Sequence, residues 1–311
     1  MRGLTPGVGA VLLVVATAGA LALAPPASEA GVEAATPLEP WTAEDIPGFR
    51  PELFALPDDA LGGFSLVPGG LFLMGSDPAR DPAPFAEERW SRSELQGRVE
   101  LPDFYIGTFE VTVAQFVDFV RRTGHPIPRG TDVGTHPLHP VTQVTWADAQ
   151  QYVHWLDGVL RDSPATPSGL RDLLDAGWRV VLPDEAHWEK AARGSDGRLF
   201  PWGDDFSPSF ANVGSGEIAP VGRAPCPCAH GLHDMAGNVW EWTASPHQPY
   251  PHTAEDDVGT VVDDAVWVMR GGSFMDGPQQ VRAAHRGGAD PGVRRPFIGF
   301  RIALVHAGPP R

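Results

Sequence analysis

The segment GLHDMAGNVWEWT (Gly231–Thr243) is too polar for a core strand and too aromatic for an ordinary surface loop. Asn238 and Glu241 offer two hard oxygen donors close together, and a turn between them adds backbone carbonyls. Trp240 and Trp242 can pack on either side and hold the turn still. Because Ca²⁺ prefers roughly six to eight oxygen ligands in relaxed geometry, the segment indicates a calcium loop. The alternative is a purely hydrogen-bonded turn in which Glu241 caps backbone amides.

The composition around this segment is that of a loop-rich globular protein. The chain has 311 residues, with 36 Gly, 33 Pro and ten Trp, and 42% of its residues are hydrophobic. These proportions predict a substantial core built from short elements that turns separate. The formal net charge of −16 argues against a nucleic-acid partner, which requires a basic surface. We expect an unidentified protein, peptide or small-molecule ligand instead.

The N-terminus has the pattern of an export signal. Arg2 precedes the apolar stretch Gly9–Ala24, and Ser28 and Ala30 occupy the small positions before a cleavage site. An uncleaved membrane anchor is the alternative, but the apolar run is shorter than the roughly 20 residues that a span needs. We therefore expect residues 1–30 to be removed, leaving no transmembrane segment. The mature chain would be periplasmic or secreted, where disulfides can form.

The remaining sequence predicts one α+β domain. Residues 31–63 are rich in Ala, Pro and Glu, which predicts a linker or arm. A single globular domain is expected over 64–305, with a tail at 306–311. Helical patterns precede strand patterns along the chain, which favours α+β over a wound parallel sheet. Helices are predicted after the N-caps Thr112, Thr145 and Asp184 and over 168–176, and strands over 178–182, 266–274 and 298–304.

Eight segments, taken in order, resemble the formylglycine-generating enzyme (sulfatase-modifying factor) domain family. They are VPGGLFLMGS (Val67–Ser76), FEVTVAQF (Phe109–Phe116), HPVTQVTWADAQQYVHWL (His139–Leu156), LPDEAHWEKAARG (Leu182–Gly194), PWGDDF (Pro201–Phe206), GLHDMAGNVWEWT (Gly231–Thr243), RGGSF (Arg270–Phe274) and GFRIA (Gly299–Ala303). The resemblance covers nearly all of residues 64–305. It implies a compact, loop-rich α+β domain that has little regular secondary structure and looks distantly like C-type lectin domains.

The resemblance also implies calcium as a cofactor. In the family, the segment that matches Gly231–Thr243 is similar to a structural calcium site. Carried over to this chain, the ligands are the Asn238 side chain, the Val239 carbonyl and the Glu241 carboxylate.

A second calcium site of the family would begin at Asn212 and Val213. It would use the Asn212 side chain and the Val213 carbonyl. In the family this site usually ends on an Asp farther along the chain. That Asp is missing here, and Glu217 is the candidate substitute.

The oxidase chemistry of the founding members depends on a cysteine pair that this chain lacks. Those enzymes use copper and molecular oxygen to convert a substrate Cys to formylglycine. Their two cysteines suit Cu(I) because a thiolate is a soft ligand and Cu(I) is a soft metal ion. The corresponding positions here fall near Pro278 and Ala283, and no Cys follows Arg270. Copper is therefore not expected at the usual site. Arg282 and Arg286 keep the family framework and predict either an anion pocket for substrate or buried pairs with carboxylates.

The only two cysteines are Cys226 and Cys228, in the segment PCPCAHGLH. With His230 and His233 they supply four soft-to-borderline donors that could hold copper or zinc. A disulfide between residues two apart is strained and easily reduced. Three alternatives remain open: loop residues or a structural disulfide, a redox-active pair, and metal ligands. These four residues are also the candidate catalytic groups.

Two branches of the family help to define the expected function. One forms part of non-haem iron sulfoxide synthases, which rely on a separate His-rich helical domain that residues 31–63 cannot contain. Another acts on siderophore chromophores in the periplasm and also lacks the cysteine pair. We therefore expect an exported, divergent maturation or oxidoreductase-type factor without the copper site. The alternative is a non-catalytic, calcium-stabilised binding or interaction module of the same fold.

Overall fold

The computed structural model describes residues 38–81, 84–91, 96–131, 133–251 and 265–306. The predicted signal peptide (residues 1–30) lies outside the described residues, as do residues 31–37 of the predicted linker and 307–311 of the predicted tail. The described residues belong to a compact unit that begins at Leu38. Within them, no helix is both long enough and apolar enough to cross a bilayer.

The four predicted helices are confirmed. They are α1 (Val113–Thr123), α2 (Trp146–Asp162), α3 (Ser168–Asp175) and α4 (Glu185–Arg193). Thr112 and Thr145 each begin a helix with a capping box, the second of them together with Asp148. The Asp184 side chain accepts from the His187 amide at the start of α4. These caps satisfy amides that the first helical turn leaves without partners.

In the part of the chain that the structure describes, twelve short strands make up two four-stranded sheets and two two-stranded sheets. They are β1 (Phe49–Arg50), β2 (Leu56–Pro57), β3 (Phe64–Val67), β4 (Gly70–Met74), β5 (Gly97–Leu101), β6 (Phe104–Gly107), β7 (Trp178–Val181), β8 (Trp240–Pro246), β9 (Trp267–Arg270), β10 (Gly287–Ala289), β11 (Ile298–Phe300) and β12 (Ala303–His306). One sheet has the order β3-β6-β12-β7 and is antiparallel. The other has the order β10-β9-β8-β11, and its β8 and β11 are parallel. The antiparallel pairs β1–β2 and β4–β5 form the two-stranded sheets.

The three predicted strand regions contain strands, but the prediction needs several corrections. Strand β9 covers only Trp267–Arg270 of the predicted 266–274. Six strands, β1 to β6, precede α1, so the expected order of helices before strands is wrong. The segment interpreted as too polar for a core strand supplies the buried first half of β8.

The region 298–304 was predicted as one strand, but it forms β11 and β12, which belong to different sheets. Arg301 lies between them, and its side chain is fully buried. The chain therefore crosses from one sheet to the other at Arg301 and Ile302, both of which are buried.

The predicted domain boundary at residue 64 is too late. The described part of the predicted linker, residues 38–63, contains β1 and β2, and its Ile46, Leu53 and Leu56 are buried. Ile46 packs against Ala114 of α1, and Leu53 and Leu56 join the main hydrophobic core. The prediction of a linker rested on the abundance of Ala, Pro and Glu in this region. It did not take into account the few apolar residues that anchor the region to the domain.

Candidate functional site

Asn238 connects the two predicted calcium loops. Its side-chain oxygen accepts hydrogen bonds from the Asn212 side-chain amide and from the Ala219 backbone amide, both at 3.0 Å. The Asn238 backbone amide in turn donates to the Asn212 carbonyl at 2.9 Å. Asn238 has a left-handed backbone with a φ of 61°, which Asn tolerates better than most residues. The two loops that sequence analysis treated as separate sites are therefore in direct contact.

Glu241 lies at the centre of a buried ion pair. Arg301 donates to both of its carboxylate oxygens, from Nε and from Nη2, each at 2.6 Å. The indole of Trp188 donates to the same carboxylate at 2.6 Å. All three side chains are fully buried. Glu241 thus binds side chains from α4 and from the β11–β12 connection, and a buried pair of this kind requires such complete hydrogen bonding.

Two further carboxylates surround this pair and give the cluster an excess of negative charge. Glu110 accepts from the Asn238 side chain at 2.7 Å and from the Val239 amide at 3.2 Å. Burial, together with the charges of Asp234 and Glu241, raises the pKa of Glu110 well above its usual range. Burial also raises the pKa of Asp234, against the opposing effect of a hydrogen bond from the Gly222 amide.

Arg301 is the cation that offsets these three carboxylates. We call Glu110, Asp234, Glu241 and Arg301 the acidic cluster. If all of its members are ionised, two negative charges remain unbalanced in a region of low dielectric, which is costly. A bound cation or uptake of protons would relieve this cost. The excess negative charge would favour a cation such as Ca²⁺, but both Glu241 oxygens already accept hydrogen bonds from Arg301 and Trp188, which an ion bound to Glu241 would have to displace.

A cavity of about 330 Å³ reaches this cluster from the surface. Asn212, Glu217 and Asp234 line it, so the candidate residues of the second calcium loop face the same space as a member of the acidic cluster. Within the described ranges, no three His, Cys, Asp or Glu side chains converge in a way that could hold a metal ion. A calcium ion here would depend on amide and carbonyl oxygens in addition to carboxylates.

Arg282 is bound by carboxylates on both sides. Its Nη1 and Nη2 each donate to Glu88 at 2.8 Å, and Nη1 also contacts Asp81. Burial opposes ionisation of Glu88, but hydrogen bonds from His285, Arg282 and Ser76 outweigh it and lower the pKa of Glu88 to about 2. Arg282 therefore has the structural pairing that sequence analysis offered as one of two alternatives.

Arg286 is paired in the same way but borders a cavity. Its guanidinium donates to both Glu185 oxygens, at 2.6 and 2.8 Å, and lies 4.1 Å from the centre of the Tyr250 ring. Its Nη1 donates to the carbonyls of Glu87 and Gln248. A cavity of about 540 Å³ opens beside it. Because the guanidinium is already occupied, an anionic ligand in that cavity would have to displace one of these partners.

The positions that correspond to the family's cysteine pair have different environments. Pro278 is exposed, whereas Ala283 is fully buried among Phe104, Trp188 and other apolar side chains. Neither residue has a group that binds a soft metal ion. Among the described residues, neither cysteine lines the cavity beside Arg286.

Cys226 and Cys228 are joined in a disulfide. Their sulfur atoms are therefore not free thiolates, the form in which cysteine binds metals. His230, two residues farther on, has a left-handed backbone with a φ of 59°. The His233 ring stacks on Phe109, with 5.1 Å between the ring centres. The metal-ligand alternative for these four residues is disfavoured by this arrangement.

Comparison with known proteins identifies the family. The model of the sulfatase-modifying factor enzyme 1-like domain matches residues 51–305. The chain belongs to this family. The match begins before residue 64, in agreement with the packing of residues 38–63.

Relatives within the family have different functions. The chain is 31% identical to the inactive C-alpha-formylglycine-generating enzyme 2 of Mus musculus, over 79% of this chain and 86% of that protein. It is 30% identical to the hercynine oxygenase of Mycolicibacterium smegmatis, over 76% of this chain but only 60% of that longer protein. The solved structure of PvdO from Pseudomonas aeruginosa has a TM-score of 0.59 at 24% identity and covers 78% of this chain and 93% of that one. That similarity supports the loop-rich α+β fold.

Two members of the acidic cluster, Asp234 and Glu110, are not among the predicted site residues. Asp234 lies inside the quoted segment Gly231–Thr243, and Glu110 directly precedes the Val-Thr pair that begins α1. Glu110 and Asn238 are 128 residues apart in sequence, so no local pattern could have joined them. The one available signal was a third oxygen donor, Asp234, within the segment already proposed to bind calcium.

Proposed function

We propose that this chain is an exported member of the family that acts as a divergent maturation or oxidoreductase-type factor, and that its chemistry does not use a cysteine-pair copper site. The observation that carries the proposal is the C-terminal segment after Arg270. It has no cysteine, Ala283 is packed in an apolar core, and Arg282 and Arg286 are bound to carboxylates. Cu(I) requires soft ligands such as thiolates, and this segment offers none of them.

The relatives support a role that differs from that of the founding enzymes. One similar protein is named inactive, and another is named an oxygenase. One fold can carry several chemistries, because activity resides in the site and not in the scaffold. We infer that this chain retains the scaffold and has lost the usual copper centre.

We further propose that Ca²⁺ stabilises the scaffold at the acidic cluster. Asn238, the Val239 carbonyl and Glu241 are the proposed ligands, with Asn212 and Val213 on the adjoining loop. The excess negative charge contributed by Glu110 and Asp234 supports this proposal. When bound, the ion would balance buried charge and hold the two loops together.

Export is proposed from the sequence of residues 1–30 and is supported by the disulfide between Cys226 and Cys228. Disulfides persist in oxidising compartments and are rare in the cytosol. The mass of the mature protein tests this proposal. Removal of the first thirty or so residues is expected, and an intact N-terminus on protein from the cell interior would contradict it.

Metal analysis of the purified, full-length mature protein tests the proposed loss of the copper centre. We expect calcium near one equivalent, with copper and iron well below stoichiometric levels. Stoichiometric copper that survives dialysis against a calcium-containing buffer would contradict the proposal. The analysis should be repeated after incubation with Cu(I) under anaerobic conditions, so that loss of copper during purification is not mistaken for absence of a site.

A second candidate is a non-catalytic binding or interaction module. It is favoured by the occupied guanidiniums of Arg282 and Arg286, because these side chains are not free to polarise a substrate. Its partner would be a protein, peptide or small molecule. An absence of turnover on thiol substrates, together with saturable binding of a ligand, would favour the module over the factor.

A further inference from the structure

The disulfide between Cys226 and Cys228 closes a loop over one residue, Pro227. The stabilisation that a disulfide gives to a fold grows with the length of chain that it closes. A bridge over so short a loop removes little conformational freedom from the unfolded chain. Structural stabilisation is therefore a weak explanation for this pair, and a chemical role is the better one.

The loop that carries the pair is accessible and loosely attached. Cys226 and Cys228 are partly exposed, and Pro227 between them is exposed. Pro225 and Pro227 have no N–H group to donate, so the backbone beside Cys226 cannot join a sheet. The loop is attached before the pair, where the Gly222 amide donates to Asp234, and after it at residue 229.

Cys226 lies next to the wall of a cavity. Ala224 and Pro225, the two residues before Cys226, line the cavity of about 330 Å³ that also reaches Asp234. This volume is within the usual range for small-molecule pockets, roughly 300–1,000 Å³. Of the two cysteines, Cys226 is the nearer in sequence to these lining residues, and neither cysteine itself lines the cavity.

Cationic groups lie on the Cys228 side of the pair. The Pro201 carbonyl accepts from the Ala229 amide and from the Arg198 guanidinium, each at 3.2 Å. This shared acceptor places Arg198 beside the residue that follows Cys228, while Asp196 binds the other edge of the guanidinium. Burial and the nearby charges of Arg198 and Lys190 lower the pKa of His230. Positive charge near a cysteine stabilises its thiolate, and Asp196 offsets part of the charge of Arg198.

We propose that Cys226–Cys228 is a thiol–disulfide exchange site that takes two electrons from thiol substrates bound in the adjoining cavity. The inference rests on the proposed oxidoreductase-type function and assigns its reacting atoms. The shared chemistry of the substrate is a thiol, carried by a cysteine-containing peptide or by a low-mass thiol.

The exchange proceeds in two balanced steps. A substrate thiolate attacks Sγ of Cys226, the Cys226–Cys228 bond breaks, and Cys228 leaves as a thiolate next to Arg198. A second substrate thiolate then attacks the substrate sulfur of the mixed disulfide, which releases the substrate as a disulfide and Cys226 as a thiolate. Two substrate thiols lose two electrons and two protons, and the two cysteines of the chain gain them. A disulfide acceptor such as oxidised glutathione reverses the steps and restores the bridge.

The first experiment measures exchange directly. The full-length mature protein is incubated without oxygen, with a copper chelator, against a dithiol peptide in one arm and reduced glutathione in the other. Free thiols are alkylated and counted by intact mass. We expect loss of the bridge and formation of an equal amount of substrate disulfide, about tenfold faster than with the same concentration of hydroxyethyl disulfide. Exchange no faster than with hydroxyethyl disulfide in both arms would overturn the proposal.

The two arms identify the source of the thiol. Faster exchange with the peptide supports a protein substrate, and faster exchange with glutathione supports a low-mass thiol. Thermal unfolding of the reduced protein checks that the fold survives. We expect its Tm to fall by no more than about 5 °C, because the closed loop is short. A collapse of the fold on reduction would show a structural bridge and would overturn the proposal.

Single variants test the assigned order of attack. The Cys228→Ser variant leaves Cys226 without a second cysteine to resolve a mixed disulfide. When it is treated with a peptide whose cysteine is activated as a disulfide, this variant should accumulate a mixed disulfide between Cys226 and the peptide. Cys226→Ser should do so about tenfold more slowly, because its remaining thiol is two residues farther along the chain from Ala224 and Pro225, which line the cavity. Equal trapping by the two variants, or none by either, contradicts the assignment.

Arg198 is the positioning residue for the leaving thiolate. In the Cys226→Ser background, Arg198→Gln should raise the pKa of the Cys228 thiol, measured as the pH dependence of alkylation. In the otherwise native chain it should slow exchange about threefold. Arg179→Gln, at a half-exposed arginine that pairs with Asp157, is the matched control and should change neither quantity. An identical alkylation profile for the Arg198 variant would overturn this part of the proposal.

Failure of this inference is distinguishable from failure of the proposed function. The copper chelator removes any copper chemistry from the exchange assay. Absence of exchange would therefore refute the disulfide site and leave the proposed loss of the copper centre standing. Copper-dependent oxidation of a peptide Cys to an aldehyde would refute the proposed function, whatever the disulfide does.

Discussion

At the scale of single residues, Asp234 is the clearest example of charge that the fold leaves unbalanced. It shares a buried site with Glu110 and Glu241, and burial raises the pKa of Asp234 and of Glu110. A carboxylate whose pKa is higher in the folded than in the unfolded protein favours the folded state most when the pH is below its pKa in the unfolded chain. That contribution is lost as the pH rises through the folded value. Without a cation, these two groups should therefore destabilise the domain from mildly acidic pH upward.

Asp234→Asn should raise the Tm of the calcium-free protein at pH 8. The substitution keeps an acceptor for the Gly222 amide, and Asn tolerates the left-handed backbone at this position, where φ is 56°. We expect a gain of about 2–4 °C for each kcal/mol of repulsion removed. The stabilisation by added Ca²⁺ should become smaller. A variant that is less stable in chelator and responds fully to Ca²⁺ would contradict the account of the acidic cluster.

Glu241→Gln should cost much more than a comparable change at the surface. Removing one partner from a buried pair leaves the guanidinium of Arg301 without its counter-charge, which costs about 3–5 kcal/mol. Glu52→Gln is the control, because Glu52 and Arg50 form an exposed pair, and it should cost less than about 1 kcal/mol. Urea unfolding of both variants measures the difference. Similar losses for the two would mean that the pair in the core contributes little.

Residues of this kind show where sequence analysis stops. The carboxylate of Glu241 was recognised as a donor of interest from its own segment, but its partner Arg301 lies 60 residues away. The two alternatives for Arg282 and Arg286, an anion pocket or buried pairs with carboxylates, could be stated from sequence. The carboxylates that bind these arginines come from Glu88 and Glu185, which lie far away in the chain. Long-range pairing sets the chemistry of these side chains, and no local pattern encodes it.

At the scale of elements, the contact between the two calcium loops depends on Gly237. Its φ is +84°, and a Cβ at this position would overlap the Asn212 carbonyl oxygen and lie 2.8 Å from a methyl group of Val213. Gly214, in the same pair of loops, has a φ of +61° and open space around it. The two glycines separate the cost of backbone conformation from the cost of loop contact.

Gly237→Ala should therefore destabilise the domain more than Gly214→Ala. We expect about 1–2 kcal/mol for Gly214→Ala, which is the cost of placing Ala in a left-handed conformation. Gly237→Ala adds a steric clash to that cost and should also reduce the calcium-dependent shift in Tm. Differential scanning calorimetry with and without Ca²⁺ gives both quantities. Equal effects of the two substitutions would show that the loops do not need to touch.

The helices were predictable because their signals are local. Thr112 and Thr145 each lie directly before a helical pattern, and the side chain three residues later closes the capping box. Strand β7 and the strand region near Trp267 were recognised from β-branched and aromatic residues. The split of 298–304 into β11 and β12 was not predicted, because it follows from the burial of Arg301 between two sheets.

At the scale of the whole molecule, acid should destabilise the domain through the buried carboxylate whose pKa is lowered, Glu88, and not through Glu110 and Asp234, whose pKa values are raised. Burial opposes ionisation of Glu88, but its hydrogen bonds outweigh burial and set its pKa at about 2. A carboxylate with a lowered pKa contributes stability above its unfolded pKa, near 4.5, which is lost as the pH falls toward 2. Glu88 alone should account for a loss on the order of 3 kcal/mol.

Urea unfolding between pH 7 and pH 2 measures this acid dependence. Glu88→Gln should lower stability at neutral pH and flatten the curve below pH 4.5. Glu52→Gln should leave the curve nearly unchanged, since the Arg50–Glu52 pair is exposed. A wild-type protein whose stability does not change between pH 4.5 and pH 2 would show that the Arg282–Glu88 pair does not form in solution.

The overall organisation was predictable from the order of motifs, whereas the domain boundary was not. Eight segments in family order placed the fold, and the match to residues 51–305 confirms it. Residues 38–63 were interpreted from average composition, which hid the anchoring role of Ile46 and Leu53. A few buried side chains decide whether such a segment packs, and averages do not report them.

The central claim is that this chain retains the family scaffold without its cysteine-pair copper chemistry. The most direct test is to supply the mature protein with Cu(I), air and a Cys-x-Pro-x-Arg peptide, and to measure oxygen uptake and peptide mass. A formylglycine-generating enzyme with an intact cysteine pair is the positive control. We predict no copper-dependent oxygen uptake and no aldehyde on the peptide. Formation of formylglycine at a rate that scales with the amount of this protein would contradict the account.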